Sequence, residues 1–343
     1  MSFLGLMSLC VLAILVFAGA FSHAATPAPG ASGYKLVKSV PLGGEGGWDY
    51  IYVDSDARRV YISRGTHTMV MNADTYALEG DIPDTQGVHG IAIASELGRG
   101  FTSNGRTNDV TIFDLKTLKA IGKVQTDANP DAIVYEPVTK RVFTFNGRGK
   151  NATAINAADG TVAGTIPLGG KPEFAAVDGK GTIYVNDEDS SELHHLDAQS
   201  LKELHKWPLA PCKSPSGLTM DTKNRRLYAV CDDKVSIVVN ADTGKVVASP
   251  AIGDGPDAAG FDPATNYFFA SCGEGILTVI HEDSPDKYSV VENVQTKRYA
   301  RTMGLDLKTH NIFLPTAEFE APAPGERRGK MKADSFVILV VAK

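Results

Sequence analysis

An aromatic residue recurs seven times along the chain, at Tyr61, Phe101, Phe143, Tyr184, Tyr228, Phe269 and Phe313. The intervals are 40, 42, 41, 44, 41 and 44 residues. One supersecondary unit is therefore written seven times. Such a unit cannot bury its apolar faces alone and must stack on its neighbours. The unbroken repeat argues for a single closed domain over residues 34–343, although 343 residues would allow two.

Each unit has the same internal grammar, clearest in Pro130-Asp-Ala-Ile-Val-Tyr-Glu-Pro-Val-Thr-Lys-Arg-Val-Phe-Thr-Phe-Asn146. An apolar strand is followed by a polar turn and by a second strand that opens on a basic residue. A third strand follows (Val110 to Leu115, Ala152 to Asn156, Val235 to Asn240), then an Asp/Thr/Gly turn and a fourth strand such as Thr161 to Leu168. No sustained 3.6-residue apolar period is present, which excludes helical bundles. Four short strands per unit of this length predict an all-β, seven-bladed β-propeller with four antiparallel strands per blade. The last unit supplies the strand Ser335 to Ala342 and stops, whereas Tyr34 to Leu42 precedes the first unit and reads as a fourth strand. The last blade is thus expected to be closed by the N-terminal strand, which removes the open sheet edges.

Tyr61-Ile-Ser-Arg, Phe101-Thr-Ser-Asn, Phe143-Thr-Phe-Asn and Tyr184-Val-Asn-Asp resemble the Tyr-Val-Thr-Asn tetrad of the YVTN beta-propeller repeat family, which includes exported YncE-like proteins. Tyr228-Ala-Val-Cys, Phe269-Ala-Ser-Cys and Phe313-Leu-Pro-Thr depart furthest from it. The resemblance implies that the first strand of each blade is innermost, and that the loops before it and after the second strand share one face, the top. It also implies a periplasmic setting. Among propeller relatives some bind nucleic acid, some are lactonases and some are quinoprotein-type components of redox assemblies.

Counting twelve residues back from each repeat aromatic, or eleven in the fourth blade, gives Asp49, His89, Asp131, Glu173, Ser216, Asp257 and Arg301. All seven are polar, so a polar ring is expected at the channel mouth as the candidate ligand-binding site. Arg301 and His89 flank Asp49 in blade order and offset part of the acid repulsion. Asp131 and Glu173 are adjacent and are expected to have no basic ring neighbour, a place that could accept a divalent cation. No other cofactor is indicated.

Loops after the second strands carry Arg64, Arg106, Arg148 and Lys150 in blades one to three, and Arg327, Arg328, Lys330 and Lys332 in the seventh-blade insertion Ala317 to Ala333. With Pro322, Pro324 and Gly325, that insertion reads as a mobile flap. Blades four to six carry Asp187, Glu188, Asp189, Glu192, Asp232, Asp233 and Glu274. A top face split into a basic and an acidic half can steer a charged partner. The net charge of −6 disfavours nucleic acid, which is left only to the basic half-face.

Phe3 to Phe21 is an apolar run followed by Ser22-His23-Ala24-Ala25, and residues 1–34 hold no Lys, Arg, Asp or Glu. Residues 1–24 read as a secretory signal, or as an uncleaved anchor that would be the chain's one membrane contact, with 25–33 a flexible linker. A periplasmic or secreted location follows. Cys212, Cys231 and Cys272 would then sit in an oxidising compartment, where Cys212–Cys231 is the expected disulfide because an inner hairpin brings those ends together. A soft-metal thiolate site is the alternative.

The chain has no Gly-x-Ser-x-Gly, His-Glu-x-x-His, Cys-x-x-Cys or phosphate loop. The expected function is a non-catalytic scaffold that binds a protein or small anionic ligand through its top face. The alternatives are a lactonase-type hydrolase using ring carboxylates and a metal, and an accessory subunit of a periplasmic redox or surface assembly.

Overall fold

The structure, a computed structural model, describes residues 32–323, 325 and 329–343. The leader 1–24, most of the linker, and Arg327 and Arg328 lie outside the described residues. Twenty-eight strands form seven four-stranded antiparallel sheets, and the described residues contain no α-helix. The inner strands are Ile51–Asp54, Val88–Ala94, Pro130–Glu136, Pro172–Val177, Pro215–Asp221, Pro256–Asp262 and Gly304–Leu305. All seven repeat aromatics lie on the second strands and are buried, where they pack the core.

Each apolar cluster draws on two neighbouring blades. Val60, Ile62 and Met71 of the first blade pack with Phe313, Ile338 and Val340 of the seventh. Likewise Phe269 and Leu277 of the sixth pack with Ile312 and Leu339 of the seventh and with Tyr34. No blade therefore completes its core without a partner on either side.

The N-terminal strand Lys35–Pro41 pairs antiparallel with Val337–Ala342, from Lys35 opposite Ala342 to Pro41 opposite Val337. That pairing supplies the outer strand of the seventh sheet. The C-terminal strand begins two residues later than the apolar pattern suggests, because Ser335 turns its hydroxyl to the Lys332 carbonyl at 2.7 Å. At the bottom, turns after the inner strands are organised by acids that accept backbone N–H groups, as Asp54 does from Asp56 and Ala57. The same acids tie blades together. Arg58 of the first blade reaches Asp306 of the seventh at 2.7 Å, and Arg225 of the fifth reaches Asp178 of the fourth at 3.2 Å.

The seventh-blade insertion is more ordered than a flap at its base. Phe319 bridges Met331, the Glu320 N–H donates to the Lys330 carbonyl at 2.9 Å, and the Lys332 N–H donates to that of Glu318 at 2.9 Å. Alternating backbone pairing continues the sheet edge into a short hairpin, which the Pro and Gly content concealed.

Cys212 and Cys231 form the expected disulfide, across 19 residues of sequence. Closing a loop of that length restricts the unfolded chain by about 3 kcal/mol. Replacing both cysteines by serine is expected to lower the unfolding midpoint by roughly 5 °C, measured by calorimetry. Deleting residues 34–42 should do more, lowering it by about 10 °C or more or leaving the protein insoluble, since the Val337–Ala342 edge and the seventh-blade core are then open. An unchanged midpoint would refute the closure.

Candidate functional site at the channel mouth

In five blades the inner strand starts in a β-bulge that takes the ring residue out of regular pairing with the second strand. The register shifts fall between Val88 and Ile91, Pro130 and Ile133, Pro172 and Ala175, Pro215 and Leu218, and Pro256 and Ala258. A bulge of this kind re-aims one side chain, and four of these five starts carry a proline, which has no N–H to lose. Asp49, His89, Asp131, Glu173, Ser216, Asp257 and Arg301 all line one cavity of about 440 Å³. Neighbouring blades hold its backbone in place. Ser103 donates to the Asp131 carbonyl and Ser271 to that of Arg301. Asn186 donates to the Ser216 carbonyl at 2.9 Å, Ser216 to that of Pro256 at 3.2 Å, and Thr302 to that of Asp49 at 2.7 Å.

Charges alternate around part of the ring. Arg301 lies 2.6 Å from Asp257 and 3.8 Å from Asp49, and His89 Nδ1 lies 2.6 Å from Asp49 and 3.6 Å from Asp131. Asp131 therefore does have a basic ring neighbour. Glu173 is served by Lys171, whose ammonium lies 2.5 Å away and also pairs with Glu188. Burial outweighs these counter-charges for three acids. It pushes Asp131 up to about 6 against the pull of His89. It pushes Asp257 up to about 7 against Arg301, with Asp49 adding to the rise. It pushes Glu173 up to about 8, helped by Asp131 and opposed by Lys171. For His89 burial acts downward, but the hydrogen bond to Asp49 and the charges of Asp131 and Asp49 prevail and raise it to about 9.

Asp49, His89 and Asp131 each offer one ligand atom within 4.8 Å of the others, the one such group among the described residues. A metal ion bound here would compete with the proton that Asp49 and Asp131 favour on the His89 imidazole.

Among the lining residues outside the ring pattern, three bear most on what the cavity can hold. Lys171 is one. The others are Tyr50 and Phe174, whose rings lie 4.3 Å apart between centroids and which line both this cavity and an apolar one of about 540 Å³. They form the floor between the two. The Tyr50 hydroxyl is buried without a hydrogen-bond partner among the described residues. Burial, then the negative charges of Asp131, Glu173, Asp49 and Asp257, hold its ionisation well above the ordinary tyrosine range. The sequence signal was present, since the corresponding positions of four other blades are Gly90, Ala132, Gly217 and Ala258.

The split face needs correction at two residues. Arg64 is fully buried, its guanidinium 3.7 Å over the Phe336 ring and donating to the Gly43 and Glu45 carbonyls at 3.1 and 3.0 Å. Asp187 is equally buried and accepts from His194 at 3.2 Å. Both occupy the address three after the repeat aromatic, where Asn104, Asn146, Cys231, Cys272 and Thr316 are buried too. That address points into the blade and not to solvent. Arg106 and Arg148 are exposed as expected, whereas Lys150 is exposed but paired with Asp189 at 3.1 Å across the supposed boundary. The thiols stand outside the cavity. Cys212 and Cys231 are joined, and burial pushes the remaining Cys272 up to about 12, so no three-thiolate site forms.

No protein-family model matches the chain, and no curated protein matches its sequence. Among solved structures, hydrazine synthase of Kuenenia stuttgartiensis aligns with 80% of this chain and 92% of its own at 14% identity and a TM-score of 0.69. U3-55K covers 91% of this chain and 99% of its own at 8% identity and a TM-score of 0.75. The WD40 repeats of RRP9 cover 93% and 100% at 9% identity and a TM-score of 0.75. Identities this low establish the propeller fold alone.

Folding here depends on pH with a definite sign. Acids whose folded values are raised bind more protons folded than unfolded, so stability falls as pH rises from their unfolded values near 4 towards 8. His89, raised to about 9, stabilises fully below about 6.5 and loses that contribution as pH passes 9. The unfolding midpoint is therefore expected to decline between pH 5 and 9, and Glu173→Gln should flatten the decline. A midpoint rising over that window would contradict the assignment.

Proposed function

We propose that the protein is an exported binding propeller whose channel mouth receives a positively charged group, from a small ligand or a partner protein, without catalysing its conversion. The observation that carries this reading is the cavity's charge set. Asp49, Asp131, Glu173, Glu188, Asp232 and Asp257 face His89, Lys171 and Arg301, six carboxyls against three basic groups. With every group ionised the cavity lacks three positive charges. The floor of Tyr50 and Phe174 adds aromatic faces to which an organic cation is attracted. This sign is opposite to that of the small anionic ligand expected at the top face. Export is supported by the apolar leader, by the disulfide, which persists in oxidising compartments, and by the resemblance to YncE-like proteins.

A hydrolase of lactonase type is the second reading. It is favoured by carboxyls that burial pushes to between about 6 and 8, the range suited to general acid–base work.

Calorimetric titration with 1,5-diaminopentane and with glutarate tests the first reading. The diamine is expected to bind and glutarate not. Asp131→Asn combined with Glu173→Gln should weaken the diamine about tenfold or more, as losing a partly desolvated charge pair implies. Preferential glutarate binding, or indifference to the double substitution, would overturn it.

A further inference from the structure

A second cavity, of about 650 Å³, opens beside the ring on the same face. One wall is the loop Glu45 to Trp48, and the other is the seventh-blade hairpin with Phe319 and Met331. Its aromatic lining is built and not incidental. The Trp48 ring lies 6.0 Å from Phe319 and 5.4 Å from Phe336, and Phe319 lies 4.8 Å from Tyr299. Arg64 fastens the glycine-rich loop that leads to Trp48 through the Gly43 and Glu45 carbonyls.

Arg301 lines both cavities. It touches the acids of the ring through Asp257 and Asp49, yet its side chain is 46% exposed. A guanidinium has five N–H donors in a fixed fork, more than those two contacts consume. Any ligand running from the ring into the groove must pass this cation, and a bare amine would leave it facing an apolar chain. A ligand carrying a carboxylate one carbon away from its ammonium would not. Its ammonium would meet Asp49 and Asp257 while its carboxylate covered Arg301, continuing the alternation of charge already present in the ring.

We propose that ring and groove form one site for the zwitterion of an α-amino acid with a large apolar side chain, the ammonium among the ring carboxylates, the carboxylate on Arg301 and the side chain between Trp48, Phe319 and Met331. The volume lies within the ordinary range of small-molecule sites, and burying such a side chain against aromatic walls provides the affinity that the two charges direct. The inference rests on the ring being a cation receptor.

Titration of the purified protein with phenylalanine, phenethylamine and alanine tests it. Phenylalanine is expected to bind about tenfold more tightly than phenethylamine, which lacks the carboxylate, and than alanine, which lacks the ring. Trp48→Ala should cost phenylalanine about tenfold and leave 1,5-diaminopentane unaffected, which also shows that the variant is folded. Arg301→Gln should abolish the preference for phenylalanine over phenethylamine. Phenethylamine binding as tightly as phenylalanine, or phenylalanine indifferent to Trp48→Ala, overturns the inference. Diamine binding without phenylalanine binding rejects this inference alone, whereas failure of both ligands rejects the ring reading as well.

Discussion

Pairing of Lys35–Pro41 with Val337–Ala342 is the interaction on which the remaining structure depends. Every apolar cluster is shared by two blades, so an open ring would leave a half-formed core on each free flank. Closure also assembles the charged site. Asp49 belongs to the first blade and Arg301 to the seventh, and they come within 3.8 Å because the chain's two ends share a sheet. Thr302 then bonds the Asp49 carbonyl at 2.7 Å, and Arg58 grips Asp306 at 2.7 Å on the opposite face. One seam is thus fastened at the outer edge, at the mouth and at the bottom.

That closure holds together groups that repel. Four carboxyls of the ring face one channel, and Asp49 and Asp131 bring an oxygen each within 4.8 Å, where two full charges repel by about 0.9 to 3.5 kcal/mol at an effective dielectric between 80 and 20. The raised values of Asp131, Asp257 and Glu173 are this cost expressed as proton affinity, with desolvation as its largest part. Hydroxyl and amide donors from neighbouring blades, such as Ser103 and Asn186, grip the backbone carbonyls of the ring and not its carboxylates. The acids are therefore positioned through their backbone, and their carboxylates are answered only by His89, Arg301 and Lys171, three basic groups for four acids. Local violation of stability rules inside an otherwise consistent fold is the ground on which the cation-binding proposal stands. A cation entering there relieves repulsion and desolvation together.

Fold, ring and disulfide were legible because the repeat turns sequence position into blade position. The aromatic ruler reads addresses at fixed distance along the backbone, and a seven-fold backbone repeats those distances. It cannot read what differs between blades. Tyr50 and Phe174 share an address with Gly90, Ala132, Gly217 and Ala258, and the contrast of size at that address was the available sign of a channel floor. Lys171 escaped because it precedes the ring residue by two, where the third and fifth blades have Asn129 and Ser214. Arg64 and Asp187 were misplaced for the reverse reason. Charge suggested solvent, while their shared address with Asn104 and Cys272 already said interior.

Arg64 shows what such an interior address demands of a charged residue. Among the described residues its Nε and Nη1 have no hydrogen-bond partner and no carboxylate pairs with it, and burial draws the guanidinium down to about 10. Burying an unpaired ion costs several kcal/mol, so something specific must offset it. The Phe336 face supplies cation–π attraction, and the Gly43 and Glu45 carbonyls accept two bonds from Nη2. Those carbonyls can turn inward only because Gly43, Gly44 and Gly46 take φ of 63, 74 and 96°, in the left-handed region. Methionine of similar length would fill the space at lower cost but would leave the glycine loop unfastened. The residue is thus best explained by the loop it holds, and that loop runs directly into Trp48, the aromatic wall beside the ring.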